Sequence, residues 1–431
     1  MLFLYNLFLL FYRLGIIIAA LWNPKARNWV TGRKNIFENL GEQLHNNKGA
    51  GKKIIWFHCA SLGEFEQGRP VIEKIKHHQP DSKILLTFFS PSGYEVQKNY
   101  AVADWVYYLP IDSATNARRF LDIVNPSLVI FVKYEFWYYY LYEIKKRNIP
   151  SLLISAIFLK KHPFFHWYGS LHKKMLQNFQ HVFVQNNASK NLLSGIGFIN
   201  KVTVSGDTRF DRVIEIAENF EPIPTIEVFI GDCSKIIVAG STWPEDEEEM
   251  NHYANTHTDV KFIIAPHEID EEHLSEIEKL FKYSIRYSRL QVTNHTMIET
   301  EHKKQENHNV LIIDNIGMLS KLYKYASIAF VGGGFETEGV HNVLEAAVYG
   351  KPVVYGPVFA NYAEAVELED CGGGIVVNSA LEFEEKINTL FSDETLYKQC
   401  CEASLKYVYA NKGATEKIMN YIYKNRLLTK S

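Results

Sequence analysis

Two series of short apolar runs constrain this 431-residue chain more than any other feature. The first comprises 53–59, 83–89, 127–132, 151–155 and 181–184; the second comprises 235–239, 260–264, 310–313, 327–331, 352–355 and 374–377. Each run is continuously hydrophobic rather than alternating, and the intervals leave room for a helix. That pattern predicts parallel strands buried on both faces. A polar interval with Pro222 and Pro224 separates the series. The expected fold is α/β: two doubly wound Rossmann-like domains facing a cleft, preceded by an apolar helix. The expected ranges are 1–24 for that helix, 25–205 for the first domain, 206–225 for a linker and 226–415 for the second domain. A last helix near 416–426, within 416–431, is a candidate to cross back to the first domain.

Residues 1–22 are apolar except for Asn6 and Arg13, long enough at about 1.5 Å per residue to reach across a bilayer core of roughly 30 Å. Lys25, Arg27, Arg33 and Lys34 follow, which places the remainder on the cytoplasmic face by the positive-inside rule. A cleaved signal peptide fits less well, because no basic residue precedes the run. Arg13 in mid-run leaves open a helix lying in the interface. A net charge of -3 gives no general nucleic-acid footprint. The five cysteines lack metal-ligand spacing, so a disulfide framework or zinc site is not expected, and a reducing compartment fits.

In an open parallel sheet, ligands sit beyond the carboxyl ends of the strands. The richest such place begins at Val331: Gly332, Gly333 and Gly334 let the chain turn with their amides bare, and 341–349 has helical periodicity, a setting for phosphate. Asn342 and Glu345, three apart, share a helical face and suit a ribose; the same spacing also fits a capping box. After the first strand, Ser61-x-x-Glu64 precedes a helix over 65–77. Glu64 is placed for a general base if desolvation raises its pKa, and equally for a capping box. Glu135, after the strand 127–132, is placed to position a second group or to pair with Lys133 or an arginine. The segment 160–174, with Lys160 and Lys161, interleaves cations with aromatics, as suits anionic lipid headgroups or a solvated basic helix; single-stranded nucleic acid fits less well. Arg209, in Ser205-Gly-Asp-Thr-Arg-Phe-Asp211, is of a type to clamp a carboxylate or phosphate. Gly240, Ser241 and Thr242 offer amides to a phosphate, His267 offers a nucleotide contact, and 245–249 reads as a solvated acidic helix start.

No G-x-x-x-x-G-K-[ST] run occurs, no G-x-G-x-x-G follows the first strand of either series, and no Asp-x-Asp pair is present. These absences argue for a transfer without a bridging metal, in which helix termini and cations receive the charge of the leaving group.

Taken together, the apolar start, the His58-Cys-Ala-Ser-Leu-Gly-Glu64 segment, Tyr134-Glu-Phe-Trp137, the Ser205 to Asp211 motif, Ala239-Gly-Ser-Thr242, and Gly339-Val-His-Asn-Val-Leu-Glu-Ala-Ala347 with Gly350-Lys-Pro-Val-Val-Tyr-Gly-Pro357 resemble the Kdo transferases of lipopolysaccharide synthesis, in order and over nearly the whole chain. The resemblance implies a GT-B fold at the cytoplasmic face of the inner membrane. It implies inverting transfer of 3-deoxy-D-manno-octulosonic acid (Kdo) from CMP-Kdo to a lipid A precursor, with no cofactor and no metal. It assigns Glu64 as general base, Arg209 to the departing CMP, Ser241 and Thr242 to the phosphate region, Asn342 and Glu345 beside His341 to the ribose, and Glu135 to an acidic position in the first domain. Gly240, Gly333 and His267 complete the expected donor site, and Lys160 and Lys161 the acceptor side. The chain departs from the family at Arg209, where many members have lysine, and at Glu338, Val340 and Val343, where arginine, glycine and proline are common. Two rival readings are a UDP-sugar transferase or epimerase and a non-catalytic nucleotide-sugar sensor. Oligomeric state is left open.

Overall fold

The structure is a computed structural model that describes residues 1–46, 53–290 and 308–428. The expected domain ranges include 47–52, 291–307 and 429–431, which lie outside the described residues. The chain forms two compact units: Met1–Arg212 joined by the segment from Lys412 onward, and Val213–Asn411.

The first unit holds β1 (Ile54–Cys59), β2 (Lys83–Phe88), β3 (Trp105–Tyr108), β4 (Leu128–Val132), β5 (Ser151–Ala156), β6 (His181–Val184) and β7 (Val202–Val204). They form a parallel sheet in the order β3-β2-β1-β4-β5-β6-β7. Every residue of β1, β4 and β5 is buried, as continuous hydrophobic runs require. The pleat sends Trp56, Val129 and Phe131 into one core and Ile55, Phe57 and Ile130 into the other. The second core is closed by Ile418, Met419 and Ile422 of the helix Ala414–Lys424, which therefore belongs to this unit. Full burial of each such side chain contributes about 1.5–3 kcal/mol.

The second unit holds β8 (Ile236–Thr242), β9 (Lys261–Pro266), β10 (Ser284–Arg286), β11 (Val310–Ile312), β12 (Ile328–Val331), β13 (Val353–Tyr355) and β14 (Gly374–Val376), in the order β10-β11-β9-β8-β12-β13-β14, again all parallel. Both sheets are doubly wound, as the sequence predicts. Strand order reverses between β1 and β4 in the first and between β8 and β12 in the second, and those reversal points are where such sheets bind ligands.

Three details go beyond the expected ranges. The interval expected as a linker, 206–225, contains the boundary between the units after Arg212 and is largely helical: Thr208–Glu218 is a helix and Pro224 opens the helix Pro224–Ile230, with Val213 and Ile214 buried. The helix near the end starts at Ala414, two residues earlier than expected. Strands β3, β7 and β10, of three to four residues each, lie outside the expected runs; β7 and β10 include the polar residues Thr203, Ser284 and Arg286, which interrupt an apolar run. Among the described residues, Leu2–Ala19 is the helix long and apolar enough to cross a membrane by length and composition.

Candidate active site

In the first unit, the reversal point brings together Glu64 and Glu135. The helix Leu62–His78 begins where β1 ends, three residues before the expected start. Ser61 is its N-cap, and the Glu64 carboxylate accepts from the Ser61 amide at 2.9 Å and is bonded to the Ser61 hydroxyl, so the capping box is formed. Glu64 remains half-buried, and its charge is felt by its surroundings. The Tyr134 hydroxyl is raised by burial and then by Glu64, and the buried Cys59 thiol is raised by burial and then by Glu64, Glu135 and Glu66. Three carboxylates thus converge on the carboxyl end of β1. Glu66, absent from the sequence reading, is pushed above the usual carboxylate range by burial, opposed by Arg69 and Arg212. The spacing Glu64-x-Glu66 at a helix start was its only sequence signal.

Glu135 pairs with neither Lys133 nor an arginine. It is buried, and its Oε2 lies 2.8 Å from His58 Nε2 and accepts from the Trp137 indole at 2.6 Å. The network continues inward: His58 Nδ1 is 2.9 Å from the Thr87 hydroxyl, which accepts from the Trp56 indole at 2.7 Å. A buried carboxylate takes the donors that replace water, and here those are two ring N–H groups rather than a distant exposed cation. His162 packs edge-on against Tyr134 at 5.5 Å, so the loop carrying the exposed Lys160 and Lys161 adjoins the Glu64 side of the unit. The segment 160–174 is not one basic helix: Pro163–Phe165 is a 3-10 turn and Ser170–Gln177 a separate helix, with Trp167 between them 94% exposed.

Arg209 is held by its own loop. Its Nε and guanidinium bond Asp207 Oδ2 at 2.9 and 2.8 Å, so any clamp on an anion would have to compete with Asp207. Asp211 of the same motif accepts from the amides of Gly413 and Thr415, both at 2.6 Å, and so caps the returning helix.

In the second unit, the reversal point is built around a residue that the sequence reading placed in solvent. Asp246 is fully buried; its Oδ2 accepts from the Gly333 amide at 2.8 Å and the Trp243 amide at 2.9 Å. Burial pushes its carboxyl up to about 6 against those bonds. Glu247 is buried too, accepting from the Thr242 hydroxyl at 2.8 Å and meeting His273 Nε2 at 3.0 Å. The acidic run 245–249 is therefore internal scaffolding at its second and third positions. A helix beginning directly on a strand end turns those side chains inward.

Two consequences correct the phosphate expectations. The Gly332 amide bonds Gly240 O at 2.9 Å and the Gly333 amide bonds Asp246, so neither is bare, and the Thr242 hydroxyl is already engaged by Glu247. Glycine at 333 is required by φ of +86° and because a Cβ there would lie 2.5 Å from Gly339 O. The expected helix over 341–349 shrinks to one turn, Leu344–Ala347, because a tight crossing of the chain precedes it: His341 N–H bonds Gly332 O and Val340 N–H bonds Val358 O. Asn342 consequently lies outside the helix and is no capping residue. Its Nδ2 donates to Glu345 Oε1 at 2.9 Å, while its buried Oδ1 has no partner among the described residues.

His267, at the end of β9, stacks on Trp243 at 4.7 Å and on His341 at 4.5 Å. The Trp243 indole N–H donates to His341 Nε2 at 3.0 Å. Burial and then His267 push His341 down to about 4, so the ring is neutral at pH 7 and, with Nε2 accepting, carries its proton on Nδ1. Beside the stack is a cavity of about 170 Å³ lined by Ser241, Ala265, His267, Asn315, Gly317 and Leu319. Ser241 has φ of +54°, a left-handed conformation that costs a non-glycine residue about 1–3 kcal/mol. Among the described residues, no group of three or more His, Cys, Asp or Glu side chains is arranged to hold a metal.

The His273–Glu247 pair gives this unit a pH dependence. The bond to Glu247 raises His273 to about 9, so its stabilisation is fully present below about 6.5 and is lost as pH rises through about 9. His273→Gln is expected to flatten the difference between melting temperatures measured at pH 6 and pH 10; an unchanged difference would show that other groups carry it.

Residues 34–212 match the family described as 3-deoxy-D-manno-octulosonic-acid transferase (kdotransferase), and 292–407 match glycosyl transferases group 1. A bifunctional glycosyltransferase/methyltransferase of Fusobacterium nucleatum is 27% identical over 388 residues, covering 88% of this chain; the chain spans only 56% of that relative's length. A 3-deoxy-D-manno-octulosonic acid transferase of Aquifex aeolicus is 28% identical over 358 residues, covering 81% of this chain and 88% of its own. Among solved structures, a UDP-GlcNAc 2-epimerase of Neisseria meningitidis superposes with a TM-score of 0.60 at 20% identity, over 86% of this chain and all of that one, which shows a shared GT-B-like fold. With a Kdo transferase match over most of the first unit and a glycosyl transferases group 1 match in the second, the chain is similar to the Kdo transferases over most of its length.

Proposed function

We propose that this chain transfers Kdo from CMP-Kdo to a lipid A precursor, as a metal-independent inverting glycosyltransferase. The observation that carries the donor assignment is the Asn342–Glu345 pair, whose unpartnered, buried Asn342 Oδ1 stands one residue after the stacked His341. Such a pair suits the vicinal hydroxyls of a ribose. A nucleoside monophosphate fits better than a diphosphate: the Gly332 and Gly333 amides and the Thr242 hydroxyl are already bonded, which leaves the strained Ser241 turn as the main cradle. His267 and the cavity beside it suit the base.

In this reading, Glu64 removes the proton of the acceptor hydroxyl as its oxygen attacks the anomeric carbon of Kdo. The anomeric carbon–phosphate oxygen bond breaks on the opposite face, which inverts the configuration, and CMP leaves with the bonding pair. Lys160, Lys161 and the exposed Trp167 suit the phosphates and acyl chains of a glycolipid. The names of the curated relatives support the sugar, and the cytoplasmic face of a membrane is the setting such an acceptor implies.

The test is a detergent assay with CMP-Kdo and a tetra-acylated lipid A precursor, read by mass spectrometry, with EDTA in a parallel tube. A gain of one or more Kdo masses, unaffected by EDTA, is expected. Asn342→Ala is expected to weaken CMP binding about tenfold by calorimetry, the loss of roughly one polar contact. Displacement of bound donor by UDP in preference to CMP would move the reading to a UDP-sugar enzyme, and CMP binding without any product would move it to a sensor.

A further inference from the structure

The apolar helix Leu2–Ala19 is docked on the first unit by one stripe of side chains. The Tyr5 hydroxyl donates to Asp112 Oδ2 at 2.6 Å, Asn6 Oδ1 accepts from the Tyr139 hydroxyl at 2.8 Å, Leu9 is buried, and Tyr12 stacks on Phe89. Asp112 also accepts from the backbone amides of Tyr139 and Tyr140, so it is part of the folded unit. A helix fastened in this way from Tyr5 to Tyr12 has about 10 Å of undocked length left after Tyr12, far short of the roughly 30 Å of a bilayer core. Crossing would require these bonds to break or Asp112 to enter hydrocarbon, where each unsatisfied polar group is costly.

The opposite face is left exposed. Leu4, Phe8, Phe11, Leu14, Ile18 and Leu21 are 45–75% exposed and recur three or four residues apart. At the carboxyl half of the helix, a cavity of about 350 Å³ is lined by Arg13, Ile17, Arg33, Lys34, Asn35 and Asn116. Arg33 is not a free flanking cation of the kind the sequence suggests: its guanidinium bonds the carbonyls of Trp29, Phe89 and Leu109, and burial lowers it to about 9. Arg13 and Lys34 are exposed and make no ion pair among the described residues.

We propose that this helix lies in the plane of the membrane surface with its exposed face among the acyl chains, and that the cavity at Arg13 and Lys34 seats the headgroup phosphate of an anionic phospholipid. Charge complementarity selects the occupant: an apolar face alone would bind any bilayer, whereas two unpaired cations at the level of the headgroups favour an anionic one.

The test is flotation of the full chain with preformed vesicles, either pure phosphatidylcholine or with about a third phosphatidylglycerol, in the absence of donor and acceptor, so that it succeeds or fails separately from the transfer reaction. The chain is expected to favour the anionic vesicles. Arg13→Gln with Lys34→Gln is expected to cut binding to them about thirtyfold, at about fivefold per basic residue near an anionic surface, while binding to neutral vesicles is unchanged. Equal binding of the double variant and the parent to anionic vesicles would overturn the headgroup site. Orientation is read with an amino-terminal tag carrying a protease site: cleavage by protease added outside intact vesicles is expected, and a protected tag would overturn the in-plane placement. Circular dichroism confirms that the surface variant is folded.

Discussion

Glu64→Gln is expected to abolish Kdo transfer, lowering turnover by about 10²–10⁴, the range supplied by a positioned general base, while the melting temperature is unchanged. The reason for the split is the dual position of the side chain. Glu64 caps the helix Leu62–His78 by accepting from the Ser61 amide. Glutamine serves in the same box with its amide oxygen, so the cap survives and the proposed base does not. Glu64→Ala removes both and is expected to lose about 1 kcal/mol of stability as well. Turnover within threefold of the parent in a folded Glu64→Gln protein would exclude Glu64 as base and turn attention to Glu66, whose carboxyl is already raised by burial.

Asp246→Ala should destabilise the second unit more than any change at the Asn342–Glu345 pair. It leaves the Gly333 and Trp243 amides without the acceptor that holds them at 2.8 and 2.9 Å in a fully buried place. At about 1–3 kcal/mol for each unsatisfied donor, the loss is about 4 kcal/mol, a fall on the order of 10 °C in the unfolding transition of a unit this size. The same change frees Trp243 from its place beside His267 and His341, so CMP binding should fall with it. Because the Asp246 carboxyl is raised to about 6, folding favours its protonated form, and that contribution is lost as pH rises from about 4 through 6. Asp246→Asn keeps one acceptor oxygen and has no charge to bury, and is expected to cost less than alanine at pH 7. A calorimetric scan of Asp246→Ala that matches the parent would mean that the glycine turn is held by its crossings with residues 340 and 358 alone.

The fold was legible because its strands are buried on both faces: stretches such as 128–132 and 328–331 have no polar position and no other stable home than a covered parallel sheet. The strand-end rule points to loops at the carboxyl ends of the strands, and it singles out Glu64, Glu135, Ser241, His267 and Asn342 as candidates by position. What stayed hidden was direction. Whether Asp246 points to water or into the sheet depends on where the helix Pro244–Thr256 starts relative to β8, a difference of one residue that periodicity does not resolve. The partner of Glu135 is hidden for a related reason: His58 is 77 residues away, on a neighbouring strand, and only the β1–β4 pairing brings the two together. The glycines after β12 signal a turn in the sequence, but two of their amides go to the protein's own backbone and Asp246 rather than to a ligand.

The helix Ala414–Lys424 has a consequence for synthesis. The first unit begins with Met1, yet one face of its core, at Ile55, Phe57 and Ile130, stays uncovered until Ile418, Met419 and Ile422 have been made. At about 5–20 residues per second, the ribosome needs tens of seconds to pass from Arg212 to that helix. During that interval the second unit, which is continuous in sequence, can finish folding while the older one waits with apolar surface exposed. The part of the protein that emerges first is thus the part completed last, and for that period it is the natural client of a chaperone.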